Sequence, residues 1–567
     1  MSRISPIFIV LTVTVAATVA SGLAGLTARH TSAAFDFQFT VNSTGDTADA
    51  SPDGVCDDGT GACTLRAAID EANSAEGTSL IAFAIPGDGP HTISPQSADL
   101  PPLLNNVTLD GYTQPGSSQN TMGPGDGTNA VLMVQISGAN LGPSANGIAM
   151  IGTNSVVRGL VITDFGGSGI LLAGANLSTV GGNFIGTDVT GSAPAGNGAG
   201  ITVDDANDNN LGTTAAADTN LISGNGTGIV LTGVSERNLV RRNLIGTKAD
   251  GASPLPNDSH GIQITGGADC NTIGGVPLAY RNVIAFNGGD GVSLATDGGI
   301  NNYVDPNYIH DNGGLGVDIN DDGPTPNDNL DADSGPNDLQ NYPVLTSAVS
   351  TSGGITVTGN LNSTPRLYFN MFFLVNDSCD PSGYGEGEQF LDERTVVDFD
   401  GDGNNPFTFF ISQQVPPGKF LVAAASNPES SSEYSPCIQV TEAPNPTPTP
   451  TPTGQTSTPT PTGGMQSPTP TPTPTAPPPD IQGDIRCDGE VDASDSLGIL
   501  RAVAGLPQIS QTEPCPDLSD IVNGHLFADV LCDGTIDAVD ALAVLRVVVG
   551  LSAITPSSGC PAVGEEL

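Results

Sequence analysis

Two stretches near the C-terminus repeat each other 45 residues apart (532 minus 487): 487 CDGEVDASDSLGILRAVAGLPQISQTEPCP and 532 CDGTIDAVDALAVLRVVVGLSAITPSSGCP. Each opens with carboxylates at the spacing of a calcium-coordinating loop. Such a loop needs oxygens at positions 1, 3, 5, 9 and 12, a carbonyl at 7, and Gly at 6 for a sharp turn. The first copy supplies Asp484, Asp488, Gly489, the Glu490 carbonyl, Asp492 and Asp495. The second supplies Asp529, Asp533, Gly534, the Thr535 carbonyl, Asp537 and Asp540. Position 3 is Arg486 in one and Leu531 in the other, so a ligand is missing from both. Four carboxylates gathered without a cation would repel one another, which makes Ca2+ the expected cofactor. Leu497, Leu500 and Val503, then Leu542, Leu545 and Val548, follow the loops at helical spacing. Within each copy two cysteines lie 28 apart, which favours Cys487 with Cys515 and Cys532 with Cys560, the other pairings staying open.

A second chemistry needs less sequence. Hydrolysis of a glycosidic bond uses two carboxylates, one to protonate the leaving group and one to activate water. Asp204-Asp205 is the close pair that could do this, and these are the catalytic candidates. Elimination chemistry would instead need an Arg or Lys base; Arg237, Arg241, Arg242 and Lys248 form a basic cluster, a type that more often caps turns or pairs with Asp. Two acidic runs, 318–323 and 398–403, share a D-x-[DN]-x-D-G opening, but their twelfth positions are Asn329 and Phe409. Turns without a tight ion explain them equally well.

The elements that must position these groups are set by a recurring pattern of Gly, Ile or Val, any residue, then an apolar residue. It begins at Gly147, Gly169, Gly200, Gly228, Gly261, Gly291 and Gly316. Between these returns lie two more apolar triplets, one around Val156, Val180, Leu211, Val240, Ile273 and Val304, the other Asn-x-Ile-like at Asn183, Asn220, Asn243, Asn282 and Asn307. Each triplet is too short for a helix and alternates as a half-buried strand does. Three strands per period, with Gly and Asn taking φ > 0 at the corners, make a triangular rung. A lone rung cannot bury its apolar side, so the rungs must stack. The expectation is a parallel β-helix of about seven rungs. The segments 183 NFIGTDVTGSAPAGN and 243 NLIGTKADGASPLPN place long loops at one corner of alternate rungs, a face where binding is expected.

The rest of the 567-residue chain divides by composition. Arg3 and the apolar run from Ile7 to Leu26 read as a secretory signal within 1–34, with an uncleaved anchor as the rival reading. Residues 35–110 form an N-terminal capping region and 111–345 the β-helix. Long alternating runs over 346–442, such as Leu367–Val375 and Phe420–Ala425, read as a β-sandwich stapled by Cys379 and Cys437. Thr-Pro repeats over 443–480 are an extended linker, and 481–567 is the calcium-binding module. Cys56 and Cys63 are a further pair, and Cys270, at an inward-looking position, is expected to be a buried free thiol. With 61 acids against 15 bases and a net charge of −46, nucleic acid is excluded as a partner. After signal removal no stretch could span a membrane.

Two resemblances add to this reading. Cys63-Thr-Leu-Arg-Ala-Ala-Ile-Asp-Glu-Ala-Asn73, with 107 VTLDGYTQPG and 318 DINDDGPTPNDNLDADSGPNDLQNYPVL, resembles the CSLREA-motif type of secreted bacterial right-handed parallel β-helix proteins, over roughly 35–345. The first segment is helical in pattern, with Leu65, Ala68, Ile69 and Ala72 on one side, and the likeness implies that this helix caps the solenoid. The paired C-terminal loops resemble an EF-hand-like dockerin, which implies a cohesin-like partner. The fold also hosts pectate lyases and polygalacturonases, but the Gly-His-Gly and Arg-x-Lys companions of Asp204-Asp205 in polygalacturonases are absent, Ser259-His260-Gly261 being a poor substitute. The chain is therefore read as mainly β: a β-helix, a sandwich, a Pro/Thr-rich linker and a small α-helical dockerin-like module. The expected function is a non-catalytic secreted or cell-surface protein that binds a glycan or surface ligand and is tethered through calcium. The second reading is a dockerin-bearing polysaccharide lyase or glycoside hydrolase.

Overall fold

The computed structural model describes residues 35–443, apart from 97, 305, 399, 400, 428 and 429, and seven positions beyond: 499, 521, 522, 525, 526, 543 and 544. Two compact units divide at Pro448/Thr449. In the second, Ile499, Ala543 and Val544 are helical and buried, and Ile521–Val522 pairs antiparallel with His525–Leu526. The linker, the four C-terminal cysteines and both loops expected to bind calcium lie outside the described residues.

The first unit is built on three parallel sheets. The third sheet has seven strands, Ile148–Met150, Ser168–Ala173, Ala199–Asp204, Thr227–Thr232, Ile262–Ile264, Val292–Leu294 and Val317–Ile319, one for each return of the Gly-led pattern. Their inward residues stack in register: Ile170, Ile201, Ile229, Ile262, Val292 and Val317 form one column, at most 2% exposed. Each such side chain contributes roughly 1.5–3 kcal/mol on burial. The first sheet starts at Phe37–Val41 and runs through Ser79–Phe83 and Val107–Asp110 into the later coils, continuous on both sides of residue 110. Strands need edge partners before they need a repeat motif, so coils form here that the Gly-led pattern does not mark.

Corner glycines such as Gly159, Gly182, Gly212, Gly246 and Gly274 take the expected left-handed conformation, but the strand-leading glycines and the asparagines of the repeat work differently. A Cβ on Gly200 or Gly228 would lie 2.5 or 2.3 Å from the carbonyl oxygen of Gly228 or Gly261 in the next coil. These positions need Gly because successive coils touch there. The asparagines are not in the left-handed region; the residue before them often is, as at Asp208, Arg237, Cys270 and Asn301 ahead of Asn209, Asn238, Asn271 and Asn302. The Asn side chains themselves form buried ladders. Asn183, Asn220, Asn243, Asn282 and Asn307 make one, each Nδ2 donating to the next Oδ1 at 2.8–3.2 Å. Asn197, Asn225, Asn257, Asn287 and Asn312 make a second, and Asn209, Asn238, Asn271 and Asn302 a third. The ladders give corner carbonyls such as Val180 O and Ile185 O a second donor beside the N–H of the next coil.

The paired long loops also have a structural task. Their tips meet through Ala249 N–H donating to Gly191 O at 2.9 Å, and Thr128 N–H donates to Ala249 O at 2.7 Å. Together with the 112–132 segment they cover the outward column Val161, Phe184, Leu221, Leu244 and Val283 of the second sheet. The loop row thus seals apolar surface.

Both ends of the stack are closed. Helix Leu65–Ser74, N-capped by Thr64, whose Oγ1 accepts from Ala67 N–H at 3.0 Å, buries Leu65, Ala68, Ile69 and Ala72 in the solenoid core. At the other end stands a sandwich of two four-stranded sheets. Its strand Tyr368–Asn376 is buried on both faces: Phe369, Met371, Phe373 and Val375 point into the sandwich, whereas Phe372 and Leu374 join the solenoid core. Strand Phe420–Ser426 divides likewise, with Val422 and Ala424 toward the solenoid. That explains their near-continuous apolar sequence. Disulfides Cys56–Cys63 and Cys379–Cys437 form as the spacing predicts.

Candidate functional site

Where the last coil meets the sandwich, the second Asn ladder runs out of asparagines and an acidic residue takes the next place. Asn312 N–H and Nδ2 donate to Glu386 Oε1 at 2.9 and 3.1 Å. Burial pushes the Glu386 carboxyl above its ordinary range, with the two Asn312 donors opposing. Beside this junction lies a cleft of about 440 Å³. His310, Asp311 and Asn312 line it from the coil, and Asn376, Asp377, Asp380, Glu386 and Glu388 from the sandwich.

Local structure fixes each of these groups. His310 ends strand Tyr308–His310; its Nδ1 lies 2.9 Å from Asp311 Oδ2, and its ring meets Phe286 edge-on. Asp377 N–H donates to Glu388 Oε2 at 2.9 Å, and Asp377 pairs with Lys419. The Cys379–Cys437 disulfide anchors the 377–381 turn on the sandwich. Asn376 ends its strand 4% exposed, and its Oδ1 accepts from the N–H groups of Gly387 and Glu388 at 3.0 and 2.9 Å. Its Nδ2 is buried without a hydrogen-bond partner. The cleft therefore offers carboxylate acceptors, with one unspent donor just beneath its wall. It would repel a polyanion and suits hydroxyl-rich or cationic groups.

The catalytic candidates lie elsewhere. Asp204 ends its third-sheet strand exposed, and Asp205 is exposed at φ 50°, its Oδ1 accepting from Val234 N–H at 2.8 Å. That bond gives Asp205 a turn-forming role. Three of the four basic residues are committed: Arg237 pairs with Asp208 and Glu236, Arg241 stacks over Tyr280 at 4.2 Å, and Arg242 donates to Thr219 Oγ1 and Met122 O. Asp398 holds a turn, accepting from Arg366, Gly401 and Gly403 N–H at 2.7–3.1 Å. Cys270 is exposed, contrary to the expected buried thiol, because it takes the left-handed corner (φ 56°) that turns its side chain outward. Residual burial and Asp269 push its thiol up. The residues expected from sequence to ligate calcium, Asp484, Asp488, Glu490, Asp492, Asp495, Asp529, Asp533, Thr535, Asp537 and Asp540, lie outside the described residues.

The sequence contained a sign of this site in the second series of asparagines, which stops at Asn312; Asn376, Glu386 and Glu388 carried none, since only the docking of the sandwich brings them there. Among the described residues no helix is long and apolar enough to cross a membrane. No family model matches the chain, and no curated protein does. Loose likenesses to solved structures exist. The A-module of mannuronan C-5 epimerase AlgE4 from Azotobacter vinelandii is 16% identical, over 43% of this chain and 79% of its own, with a TM-score of 0.20. The A-module of AlgE6 from the same organism is 16% identical over 50% and 79%, with a TM-score of 0.20. Tailspike protein 2 of Escherichia coli O157:H7 bacteriophage CAB120 is 11% identical over 61% and 56%, with a TM-score of 0.16. The parallel β-helix stands on the strand register of this chain alone.

Proposed function

We propose that this is an exported, non-catalytic glycan-binding protein that holds a neutral or amino-substituted sugar in the cleft between its last coil and its sandwich. The observation that carries this reading is Asn376 Nδ2, a buried donor without a partner in a wall of acceptors. A sugar hydroxyl complements such a wall, since it can accept from Nδ2 while donating to a carboxylate. The β-helix then serves as a scaffold, and the C-terminal unit tethers it to a cohesin-like partner through Ca2+. Support for the tether is the carboxylate spacing of the two repeated loops. The committed basic residues and the exposed, turn-forming Asp205 favour binding over lyase or hydrolase chemistry.

The test is calorimetric titration of the full chain with neutral, amino and uronic oligosaccharides. Neutral or amino sugars should bind and uronic ones should not. Asn376→Asp keeps the Oδ1 acceptor but removes the donor, and should weaken binding about tenfold, the worth of one hydrogen bond. Preferential uronate binding, or sugar release abolished by Asp204→Ala with Asp205→Ala, would overturn the reading. For the tether, EDTA should lower one melting transition of the full chain; a melt indifferent to EDTA refutes it.

A further inference from the structure

On the outward face of the third sheet, four side chains from three successive coils converge. His260 and Asp290 stand just before strands Ile262–Ile264 and Val292–Leu294; Asp318 lies within Val317–Ile319, and Asp321 follows it. Asn320 and Asp321, at φ 85° and 54°, turn the chain sharply after the strand.

Each group is held before any ligand arrives. Asp290 Oδ1 accepts from Leu315 N–H at 2.7 Å, and its Oδ2 lies 3.0 Å from His260 Nδ1. Asp290 N–H also donates to Nδ1 at 3.1 Å, so Nδ1 is held against Asp290 and Nε2, which faces Asp321, is the ring nitrogen that ligates once it gives up its proton. His260 Nε2 lies 3.8 Å from Asp321 Oδ1, too far for a hydrogen bond. An ion bonded to both at about 2.0–2.2 Å spans such a gap. Ser293 Oγ donates to Asp321 Oδ1 at 3.1 Å and fixes that carboxylate. Asp318 is the register partner of Ser293 and is 4% exposed. Its Oδ2 accepts from Gly323 N–H at 3.0 Å, while its Oδ1 is buried without a partner. Asp290 and Asp321 are the carboxylates whose charge bears on it, and its own charge bears on His260. A buried acidic oxygen with no donor, among further acids, calls for a cation.

We propose that His260, Asp290 and Asp321, whose ligand atoms lie within 4.8 Å of one another, bind one divalent transition-metal ion, with Ser293 positioning Asp321 and the buried Asp318 carboxylate beside them adding negative charge. One imidazole among carboxylates favours Zn2+ or its Co2+ surrogate over Ca2+, which takes six to eight oxygens. The ion would pin the 320–325 turn onto the end of the solenoid. The site is distinct from the C-terminal calcium loops and from the sugar cleft.

The probe is the full chain stripped with chelator, then titrated with Zn2+, and with Co2+ read by visible absorption, in millimolar Ca2+ that saturates oxygen-only sites. One Zn2+ should bind per chain. Asp321→Asn, at a partly exposed position that leaves the core untouched, should weaken it at least tenfold. His260→Gln should abolish the nitrogen-ligand Co2+ spectrum, and Asp290→Asn should weaken binding at least about tenfold through loss of a charged ligand. Zn2+ binding displaced by Ca2+, or equal in wild type and Asp321→Asn, would overturn the proposal. If His260→Gln fails to fold, Asp321→Asn decides alone.

Discussion

Asn225 provides the sharpest test of what holds the coils in register. Its Oδ1 accepts from Asn197 N–H at 3.1 Å and from Asn197 Nδ2 at 2.9 Å, and its Nδ2 donates to Ile185 O at 3.0 Å. The residue is 1% exposed. Its Nδ2 also donates to Asn257 Oδ1 at 3.1 Å. Asn225→Ala therefore takes the partner of Asn197 N–H and one bond each from Asn197 Nδ2, Ile185 O and Asn257 Oδ1, which keep Ile162 O, Ser223 N–H and residue 225 N–H. An unsatisfied buried group costs about 1–3 kcal/mol and each lost bond about 0.5–1.5 kcal/mol; with a water entering the vacated space, the net loss should be about 2–6 kcal/mol. Asn225→Asp keeps the acceptor but sets a buried charge against Ile185 O. It should be at least as harmful near pH 7 and milder below pH 4, where a protonated carboxyl can donate. Hydrogen exchange of the full chain reads the effect locally, because each coil touches only its neighbours. Amides of 184–201 and 221–230 should exchange at least about 30-fold faster in Asn225→Ala, with the sandwich unchanged. A change below about threefold, or one spread evenly over all coils, would show that the ladder does not hold the register.

Two further outcomes follow from the capped end. Glu433 accepts from Ile319 and Thr325 N–H at 3.0 and 2.9 Å, and burial pushes its carboxyl up to about 8. A carboxyl held above its unfolded value of about 4.5 binds its proton more tightly when folded, so its stabilising effect is complete at low pH and is lost as pH rises from about 4.5 through 8. The melting temperature should be higher at pH 5 than at pH 8, and Glu433→Gln should shrink that gap; an unchanged gap refutes the assignment. Neighbouring Phe372 and Phe373 belong to different cores, so each truncation to Ala should lose about 3–5 kcal/mol. Hydrogen exchange should show the first loosening the last coil and the second the sandwich; identical patterns would refute the divided strand.

The strand identities and the direction of stacking were legible in the linear chain. An apolar period of two, interrupted at rung-length intervals, leaves no other way to bury short strands, and all seven Gly-led triplets are third-sheet strands. The cap helix was equally plain from Leu65, Ala68, Ile69 and Ala72, because local periodicity alone places them on one side. The reason for the strand-leading glycines was not legible. Conformational freedom and close approach between coils demand the same residue, and only the 2.5 Å from a Gly200 Cβ to Gly228 O separates them.

The sites depended on contacts far apart in sequence. Asn312 meets Glu386 74 residues on, and His260 meets Asp321 after two further coils. No local pattern encodes such pairs, since each partner is an ordinary polar residue until the sandwich docks or a turn folds back. Cys270 shows the same division: the repeat placed it at an inward-looking position, but the handedness of one corner residue sent its side chain to solvent. Composition and periodicity thus determined that this chain coils and stacks, because burial of apolar residues is repeated in every rung. The tertiary structure decided which polar atoms were left without partners, because that is set by where unlike segments meet.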